Sequence, residues 1–287
     1  MRVLVTGGTG FLGQQIVAAL RARGLGVAAP GRAEADLLSA EGRRALVASV
    51  RADLLIHAAW MTRPGEYWHS PVNLDWVRAT HDLTRLFARA GGRRVVMVGT
   101  CAEYDWSCAG AAPLPESHPC RPHTPYGAAK LLAWTLLARC GLSAVNARVF
   151  APVGPREHPA RLLPSLIRAA ATGEPLAIGP AGLTRNLIDV RDAGAAVALL
   201  ALSEATGEVN IGSREATRLD ALAAALGVAE QVRFGARPLP VGEPLVLLPD
   251  TARLRAATGF APRFPLARTL ADAAAFWHAA AAVDRAA

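Results

Sequence analysis

Residues 2–13 read Arg-Val-Leu-Val-Thr-Gly-Gly-Thr-Gly-Phe-Leu-Gly, and this stretch decides the fold class. Residues 2–6 form a short apolar run with β-branched members, which predicts a strand. A glycine-rich turn follows from Gly7 to Gly13, and residues 11–23 have the apolar spacing of a helix. A strand, a glycine turn and a helix in this order are typical of the first βαβ unit of a nucleotide-binding domain.

The glycines of this turn have separate tasks. In such a turn the first glycine permits the bend, the second lets the backbone approach a pyrophosphate, and the third lets the helix pack on the strand. The helix N-terminus adds free N–H groups and a positive dipole end. We therefore predict dinucleotide binding, with a purely structural turn as the alternative. The predicted cofactor contacts here are Gly7, Thr9, Gly10, Phe11, Leu12 and Gly13.

Strand and helix patterns alternate along the first half of the chain. Strands are predicted at 25–29, 53–57, 94–99 and 143–150, and helices at 39–51, 73–90 and 126–140. Such alternation predicts an α/β fold with a Rossmann-type, doubly wound parallel sheet. After Phe150, Pro and Gly become frequent, with short strands at 176–178 and 208–211 and helices near 160–172, 191–203, 217–226 and 268–282. We predict an NAD(P)-binding domain at 1–150 and a smaller, mainly substrate-binding α/β part at 151–287.

Composition narrows the classes of function. The chain has 287 residues, of which 52% are hydrophobic and 19% charged, as expected for a globular protein. Its 31 basic and 23 acidic residues are spread without a long basic run, so an anionic small molecule explains the excess better than a nucleic acid. The chain begins directly on a predicted strand and has no uniform apolar span, so we expect a cytoplasmic protein without a membrane partner. The cysteines lack paired spacing, which predicts free thiols and no metal site.

Lys130 is the only lysine in the chain, and it lies four residues after Tyr126. Residues four apart on a helix share a face, so both side chains can enter one cleft. A neighbouring cation lowers the pKa of a tyrosine, which makes Tyr126 a candidate acid/base. The alternative is an ordinary pair on a helix surface.

Several motifs together carry a family resemblance. They are Thr-Gly-x-x-Gly-x-x-Gly at 6–13, His57-Ala58-Ala59, Asn73, Thr100, Tyr126-x-x-x-Lys130, and the segments 185–192 and 250–254. This set resembles the extended short-chain dehydrogenase/reductase family, also called the NAD-dependent epimerase/dehydratase family. The resemblance implies that some C-terminal segments return to the Rossmann sheet.

The resemblance also implies roles for individual residues. Tyr126 is the acid/base at a substrate oxygen, and Thr100 is a second hydroxyl that bonds this oxygen. Lys130 binds the nicotinamide ribose and tunes the phenol. Asn73 supports a water-linked proton path, with a helix N-cap as the alternative. Ala58 and Ala59 are cofactor contacts, as are Asp36, beside the adenine, and Leu37.

Cofactor choice depends on the segment after the second strand. Residues 27–32 end in Gly31-Arg32, with no carboxylate before Glu34. An acidic residue here accepts hydrogen bonds from the adenosine ribose and repels a 2′-phosphate. Arg32 therefore favours NADP, with NAD as the alternative, and a solvated loop charge is an equally good interpretation of Arg32.

The two residues after Thr100 bear on the type of reaction. Dehydratases of the family have Asp-Glu there, whereas this chain has Cys101-Ala102. Plain hydride transfer needs only the cofactor and the residues already named, because the nicotinamide performs the redox step. We predict an NAD(P)H-dependent reductase of a nucleotide-activated 4-keto-6-deoxysugar. The alternatives are a nucleotide-sugar 4-epimerase and a non-catalytic NAD(P)-binding redox sensor.

The predicted substrate contacts are Thr100, Tyr126, Arg156 and Arg185. Arg185 matches a family arginine that binds the nucleotide diphosphate, and Arg156 follows a Gly-Pro turn in the same cleft. Ala151 stands where many sugar-nucleotide enzymes have an asparagine, so a non-nucleotide carbonyl substrate stays open.

Two further expectations concern packing. Relatives pair the helices near 73–90 and 126–140 with their copies, so we predict a homodimer. His57 is expected to pack at a strand end, and Trp60, Trp68 and Trp106 either stack on a ligand or pack in the protein.

Overall fold

The central element is a parallel sheet. The structure, a computed structural model, describes residues 1–213, 215–240 and 242–286, so residues 214, 241 and 287 of the predicted second part lie outside it. Within the described residues the sheet has six strands in the order β10-β5-β4-β3-β1-β2. Their bounds are β1 Arg2–Thr6, β2 Gly26–Ala28, β3 Leu54–His57, β4 Arg94–Thr100, β5 Ser143–Val149 and β10 Gly207–Ile211. All neighbouring pairs are parallel.

Helices cover both faces of this sheet. They are α1 Gly13–Arg21, α2 Ala40–Val50, α3 Val72–Arg89, α4 Pro125–Leu137 and α6 Val190–Leu202. Because side chains alternate along a strand, Val3 and Val5 pack with α1 and α6 on one face, while Leu4 packs with α2, α3 and α4 on the other. Two buried layers on opposite faces confirm the predicted doubly wound α/β class.

The remaining elements form a smaller unit after the fifth strand. Its strands are β6 Ala151–Val153, β7 Leu176–Ala177, β8 Thr184–Arg185, β9 Leu187–Asp189, β11 Thr217–Arg218, β12 Val232–Arg233 and β13 Val246–Leu247. Its helices are α5 Leu162–Thr172, α7 Leu219–Ala225 and α9 Leu266–Ala286, whereas α8 Ala252–Thr258 packs through Leu254 with α6 on the main sheet. A third apolar cluster, which includes Leu166, Leu222 and Leu270, holds this unit together. Since β10 pairs with β5, the main sheet contains strands from both sides of the predicted domain boundary after residue 150.

The sheet brings the predicted site residues to one edge. The strands β1, β3 and β4 end at Thr6, His57 and Thr100, and they are neighbours in the sheet. Parallel strands present their carboxyl ends along the same edge, where ligands of open α/β sheets bind. The helices in the described part of the chain include none with the length and hydropathy of a bilayer span.

Candidate active site

The glycine turn after β1 is closely packed against the loop after β3. Gly7 has a φ of 72°, and a Cβ there would lie 2.7 Å from the Ala59 nitrogen. A Cβ on Gly13 would lie 2.0 Å from the Gly7 carbonyl oxygen. Both positions therefore exclude any side chain. Ala58 and Ala59 lie against the turn. Their contacts with a cofactor stay predictions.

The turn is suited to a pyrophosphate. Helix α1 begins at Gly13 without a side-chain cap, and its first turn has no acidic residue. The positive dipole end of α1 is thus not offset by a carboxylate and favours an anion at the turn. Thr9 and Gly10 are exposed, and Phe11 and Leu12 are half-buried, so the backbone can be approached from solvent. This geometry fits a dinucleotide along the turn.

Opposite charges lie close together at the end of β2. Arg32 is exposed. The Glu34 carboxylate folds back and accepts a hydrogen bond of 2.8 Å from the Gly31 nitrogen. Asp36 is exposed and accepts from the Leu38 nitrogen at 3.1 Å, while Leu37 is buried. Sequence reasoning gave weight to Arg32 and no role to Glu34, whose carboxylate bonds the residue just before Arg32.

Thr100 and Tyr126 meet because one helix approaches the end of β4 very closely. A Cβ on Gly127 would lie 2.2 Å from the Ala102 carbonyl oxygen, so only glycine permits this approach. Thr124 caps α4 by accepting from the Gly127 nitrogen at 3.1 Å. Thr100 acts to lower the pKa of the Tyr126 phenol, so the two hydroxyls lie near each other. The two hydroxyls can therefore contact one substrate oxygen.

Lys130 lies in the same pocket. It is 3% exposed, and its Nζ donates a 2.6 Å hydrogen bond to the Val98 carbonyl. The ammonium lies 4.3 Å from the centre of the Trp60 ring, which in turn lies 6.4 Å from the Tyr126 ring. Burial lowers the pKa of Lys130 to about 8, although the charge of Glu103 opposes this shift. Lys130 is thus a buried group that exchanges protons near neutral pH, not a surface charge.

The pKa of Tyr126 differs from the sequence expectation. Burial raises the pKa of Tyr126, and the nearby Tyr67 hydroxyl adds to the rise, although Thr100 opposes it. The Tyr126 ring has edge contacts with Trp60, Tyr67 and Trp68, at centroid distances of 6.4, 4.9 and 5.6 Å. The expected lowering of the Tyr126 pKa is not observed in this state, because burial outweighs the opposing effect of Thr100.

The aromatic rings belong to a loop at residues 60–70, which Asn73 holds in place. The Asn73 amide donates to the carbonyls of Tyr67 and Ser70 at 2.7 and 3.0 Å, and its oxygen accepts from the Trp60 indole at 2.9 Å. The N-cap position of α3 is Pro71, so the alternative role of Asn73 as a cap was wrong. The water-linked proton path stays a prediction.

A buried ion pair supports Thr100 from behind. Glu103 is 0% exposed and accepts from the Thr100 nitrogen at 2.9 Å, from Asn146 at 2.7 Å and from the Arg148 Nε at 2.8 Å. Arg148 is 1% exposed, and Glu103 holds its pKa above the ordinary value against the effect of burial. The network fixes the end of β4 to β5. Sequence reasoning missed it, although a glutamate three residues after a threonine is a capping-box pattern.

The two predicted substrate arginines occupy different places. The Arg156 Nη1 donates to the Gln14 side chain on α1 at 3.1 Å, which is next to the glycine turn. Arg185 instead pairs with Glu243 at 2.5 Å. Their substrate contacts remain predictions, and Glu243 is a residue that sequence reasoning did not find.

His57 packs at the end of β3, as the sequence predicts. His57 is buried between the hydroxyls of Thr6 and Thr80, at 2.7 and 2.9 Å, and burial lowers its pKa to about 3. The four cysteines are free thiols, and burial raises the pKa of Cys101 to about 12. Among the described residues, no three His, Cys, Asp or Glu side chains are grouped as a metal site.

The geometry agrees with a known family. Residues 3–212 match the model of the NAD dependent epimerase/dehydratase family. The chain belongs to this family. The predicted resemblance is therefore confirmed.

Relatives within the epimerase/dehydratase family have several activities. The chain is 31% identical over 243 residues to the dTDP-6-deoxy-L-talose 4-dehydrogenase (NAD(P)(+)) of Kitasatospora kifunensis, a match that covers 75% of each protein. It is 32% identical over 174 residues to the UDP-glucose 4-epimerase of Azospirillum brasilense, covering 53% of this chain and 49% of that one. The chain thus spans about half the length of the epimerase that it matches.

Solved structures of similar proteins carry cofactors. MoeE5 in complex with UDP-glucose and NAD superposes with a TM-score of 0.83 and 26% identity, covering 98% of this chain and 99% of that one. RMD from Pseudomonas aeruginosa, complexed with NADPH, has a TM-score of 0.83 and 24% identity, covering 97% and 99% of the two chains. The second likeness supports the fold alone.

Proposed function

We propose that this protein is an NAD(P)H-dependent reductase of a nucleotide-activated 4-keto-6-deoxysugar. The observation that carries the proposal is the pocket in which Thr100, Tyr126 and Lys130 come together at the carboxyl edge of the sheet. The match to a sugar 4-dehydrogenase over 75% of both proteins supports the same chemistry.

The residues divide the work at the carbonyl. A bound nicotinamide supplies the hydride to the carbonyl carbon. Tyr126 gives its phenolic proton to the carbonyl oxygen, and the Thr100 hydroxyl donates a hydrogen bond to it. Lys130, with a pKa lowered to about 8, holds the ribose and helps to return a proton to the phenol.

A protonated Tyr126 phenol suits the proton delivery that reduction of a carbonyl requires. A buried phenol keeps its proton at neutral pH and acts as an acid toward a carbonyl. A 4-epimerase must also remove a proton from an alcohol in its first step, which requires the phenolate. The match to a UDP-glucose 4-epimerase keeps this reaction as the second candidate.

Dehydration is disfavoured by the same pocket. Cys101 and Ala102 follow Thr100, and burial raises the pKa of the Cys101 thiol to about 12. The Glu103 carboxylate is nearby, but both of its oxygens accept hydrogen bonds from Thr100, Asn146 and Arg148. It is therefore not free to remove a proton from a sugar carbon.

We also propose NADP as the preferred cofactor and a homodimer as the assembly. Exposed Arg32 supports a contact with a 2′-phosphate, which Glu34 weakens.

The proposed homodimer is supported by the helices α3 and α4, which each expose a leucine, Leu74 at 59% and Leu132 at 44%. Sedimentation tests the dimer, and a monomer at micromolar concentration would contradict it.

The reductase proposal is tested with dTDP-, CDP-, GDP- and UDP-linked 4-keto-6-deoxyhexoses and NADPH. Falling NADPH absorbance with one of these sugars is the expected result. Interconversion of sugars without net consumption would instead identify an epimerase. Tight cofactor binding without turnover of any sugar would support the redox sensor.

A further inference from the structure

The side chain of Arg185, which is predicted to bind a diphosphate, already forms an ion pair within the protein. Its Nη2 donates to the Glu243 carboxylate at 2.5 Å. Its Nη1 donates to the carbonyls of Thr184, Pro244 and Leu245, at 2.9, 3.0 and 3.2 Å. The two charged side chains are 16% and 23% exposed, so water screens the pair only partly.

The ion pair lies beside the catalytic pocket. Burial raises the pKa of the Cys101 thiol, and the Arg185 charge acts in the opposite direction on this thiol. Burial likewise raises the pKa of Tyr67 to about 12, and Glu243 adds to that rise. Since Cys101 follows Thr100 and the Tyr67 ring packs on Tyr126, the pair lies near the acid/base groups.

The segment that carries Glu243 is anchored at both ends of residues 242–245. Thr184 donates from its nitrogen to the Leu245 carbonyl at 2.7 Å. A Cβ on Gly242 would lie 2.9 Å from the His123 ring, next to the residue that caps α4. The Glu243 carboxylate is therefore held at Arg185 by the backbone on either side of it.

We propose that Glu243 sets the affinity of the phosphate-binding part of the site, because it competes with the substrate's phosphate groups for Arg185. This inference rests on the proposed nucleotide-sugar substrate. A carboxylate carries one negative charge, whereas a diphosphate carries more charge and offers several oxygens to a guanidinium. An anion gains the Nη2 contact only by displacing Glu243, and the cost of this displacement is the same for every anion. The pair thus lowers the affinity for every phosphate ligand that uses Arg185, and only a strong ligand such as a diphosphate displaces Glu243.

Binding without turnover tests the proposal. The dissociation constants of dTDP, UDP and their monophosphates are measured by titration calorimetry for the wild type, Glu243→Gln, Arg185→Ala and the double variant. Loss of the competing charge should tighten diphosphate binding about tenfold, because the guanidinium then gives up only a weaker bond to a neutral amide. The monophosphates should gain by the same factor or less, since the cost of displacing Glu243 is the upper limit of the gain for any ligand. Glu174→Gln, an exposed site on the loop after α5, provides the same charge change and should alter neither constant.

The double variant separates competition from a general charge effect. In the Arg185→Ala background, Glu243→Gln should change diphosphate affinity no more than Glu174→Gln does. Equal dTDP binding by the wild type and Glu243→Gln would overturn the competition while leaving the nucleotide-sugar substrate standing. Failure of every protein to bind either diphosphate would remove the nucleotide substrate itself, and the role of Glu243 with it.

Discussion

The glycine turn after β1 and the pocket around Tyr126 lie at the same edge of the sheet but are built differently. The turn is formed by backbone atoms. The absence of a side chain lets Gly7 lie close to Ala59 and lets Gly13 lie close to the Gly7 carbonyl. The pocket is made of side chains that are buried, aromatic and hydrogen-bonded across distant segments. Backbone sites depend on a few local residues, whereas side-chain pockets depend on partners far away in the sequence.

The largest expected effect is on the support of the pocket. Glu103→Gln removes the carboxylate nearest to the buried Arg148 guanidinium and leaves only that of Glu208, at 3.8 Å, which should lower the unfolding free energy by about 3 kcal/mol. Urea unfolding measures this loss.

The exposed pair of Arg63 and Glu66 provides the control, because Glu66→Gln should cost about 0.5 kcal/mol or less. A Glu103→Gln variant as stable as Glu66→Gln would show that the buried pair does not hold the end of β4.

The next effect concerns the turn. Gly13→Ala places a methyl group against the Gly7 carbonyl, so we expect a loss of about 1 to 3 kcal/mol in stability and at least about tenfold weaker cofactor binding. Fluorescence titration of NADPH measures the affinity. Gly110→Ala meets no atom within 4 Å and should behave as the wild type. Unchanged NADPH affinity in Gly13→Ala would separate the turn from the cofactor.

The pH dependence of stability tests the burial of Lys130. Its pKa is lowered from 10.5 to about 8, so between these values the unfolded chain binds a proton that the folded chain does not. The unfolding free energy should therefore rise with pH in this window, by at most about 1.4 kcal/mol per unit from this residue. Below about pH 8, Lys130 is charged in both states, and the cost of burying its ammonium lowers the unfolding free energy in full.

Comparison with Lys130→Met isolates this contribution, since the tyrosines and cysteines whose pKa values are raised titrate in both proteins. Urea unfolding measures the difference in unfolding free energy between the two proteins. This difference should change between about pH 7 and about pH 10. A constant difference would mean that Lys130 titrates as a solvated lysine.

The smallest effect is expected at the exposed end of β2. Arg32→Ala should lower the preference for NADPH over NADH by about three- to fivefold, and Glu34→Gln should raise it by a similar factor, because both charges are screened by water. The ratio of kcat/KM for the two cofactors measures both changes. If Arg32→Ala leaves that ratio unchanged, Arg32 is only a solvated loop charge.

Sequence reasoning succeeded where the signal is local. The turn at residues 7–13, the alternation of strands and helices, and the Tyr126 and Lys130 pair are all encoded by spacing along one segment. Predicted helices were close to the observed ones, although the helix predicted at 126–140 ends at Leu137. The short strands β8, β11 and β13 were missed, since strands of two residues have no periodicity to detect.

Pairings between distant segments could not be predicted from the sequence. The ion pair of Arg185 and Glu243 joins residues 58 apart, and that of Glu103 and Arg148 joins residues 45 apart. The direction of the Tyr126 pKa shift depends on rings from the loop at 60–70, whose position only the fold determines. A charge or ring that arrives from another segment can reverse the expectation from a local motif.

The most direct test of the account is the turnover of Tyr126→Phe. With the 4-keto sugar that the wild type reduces, this variant should lose about a thousandfold in kcat while NADPH affinity stays unchanged, because only the proton donor is removed. Tyr104→Phe, which removes a buried hydroxyl bonded to Asn210, should retain turnover within a few-fold. Wild-type kcat in Tyr126→Phe would contradict the central claim that this phenol delivers the proton.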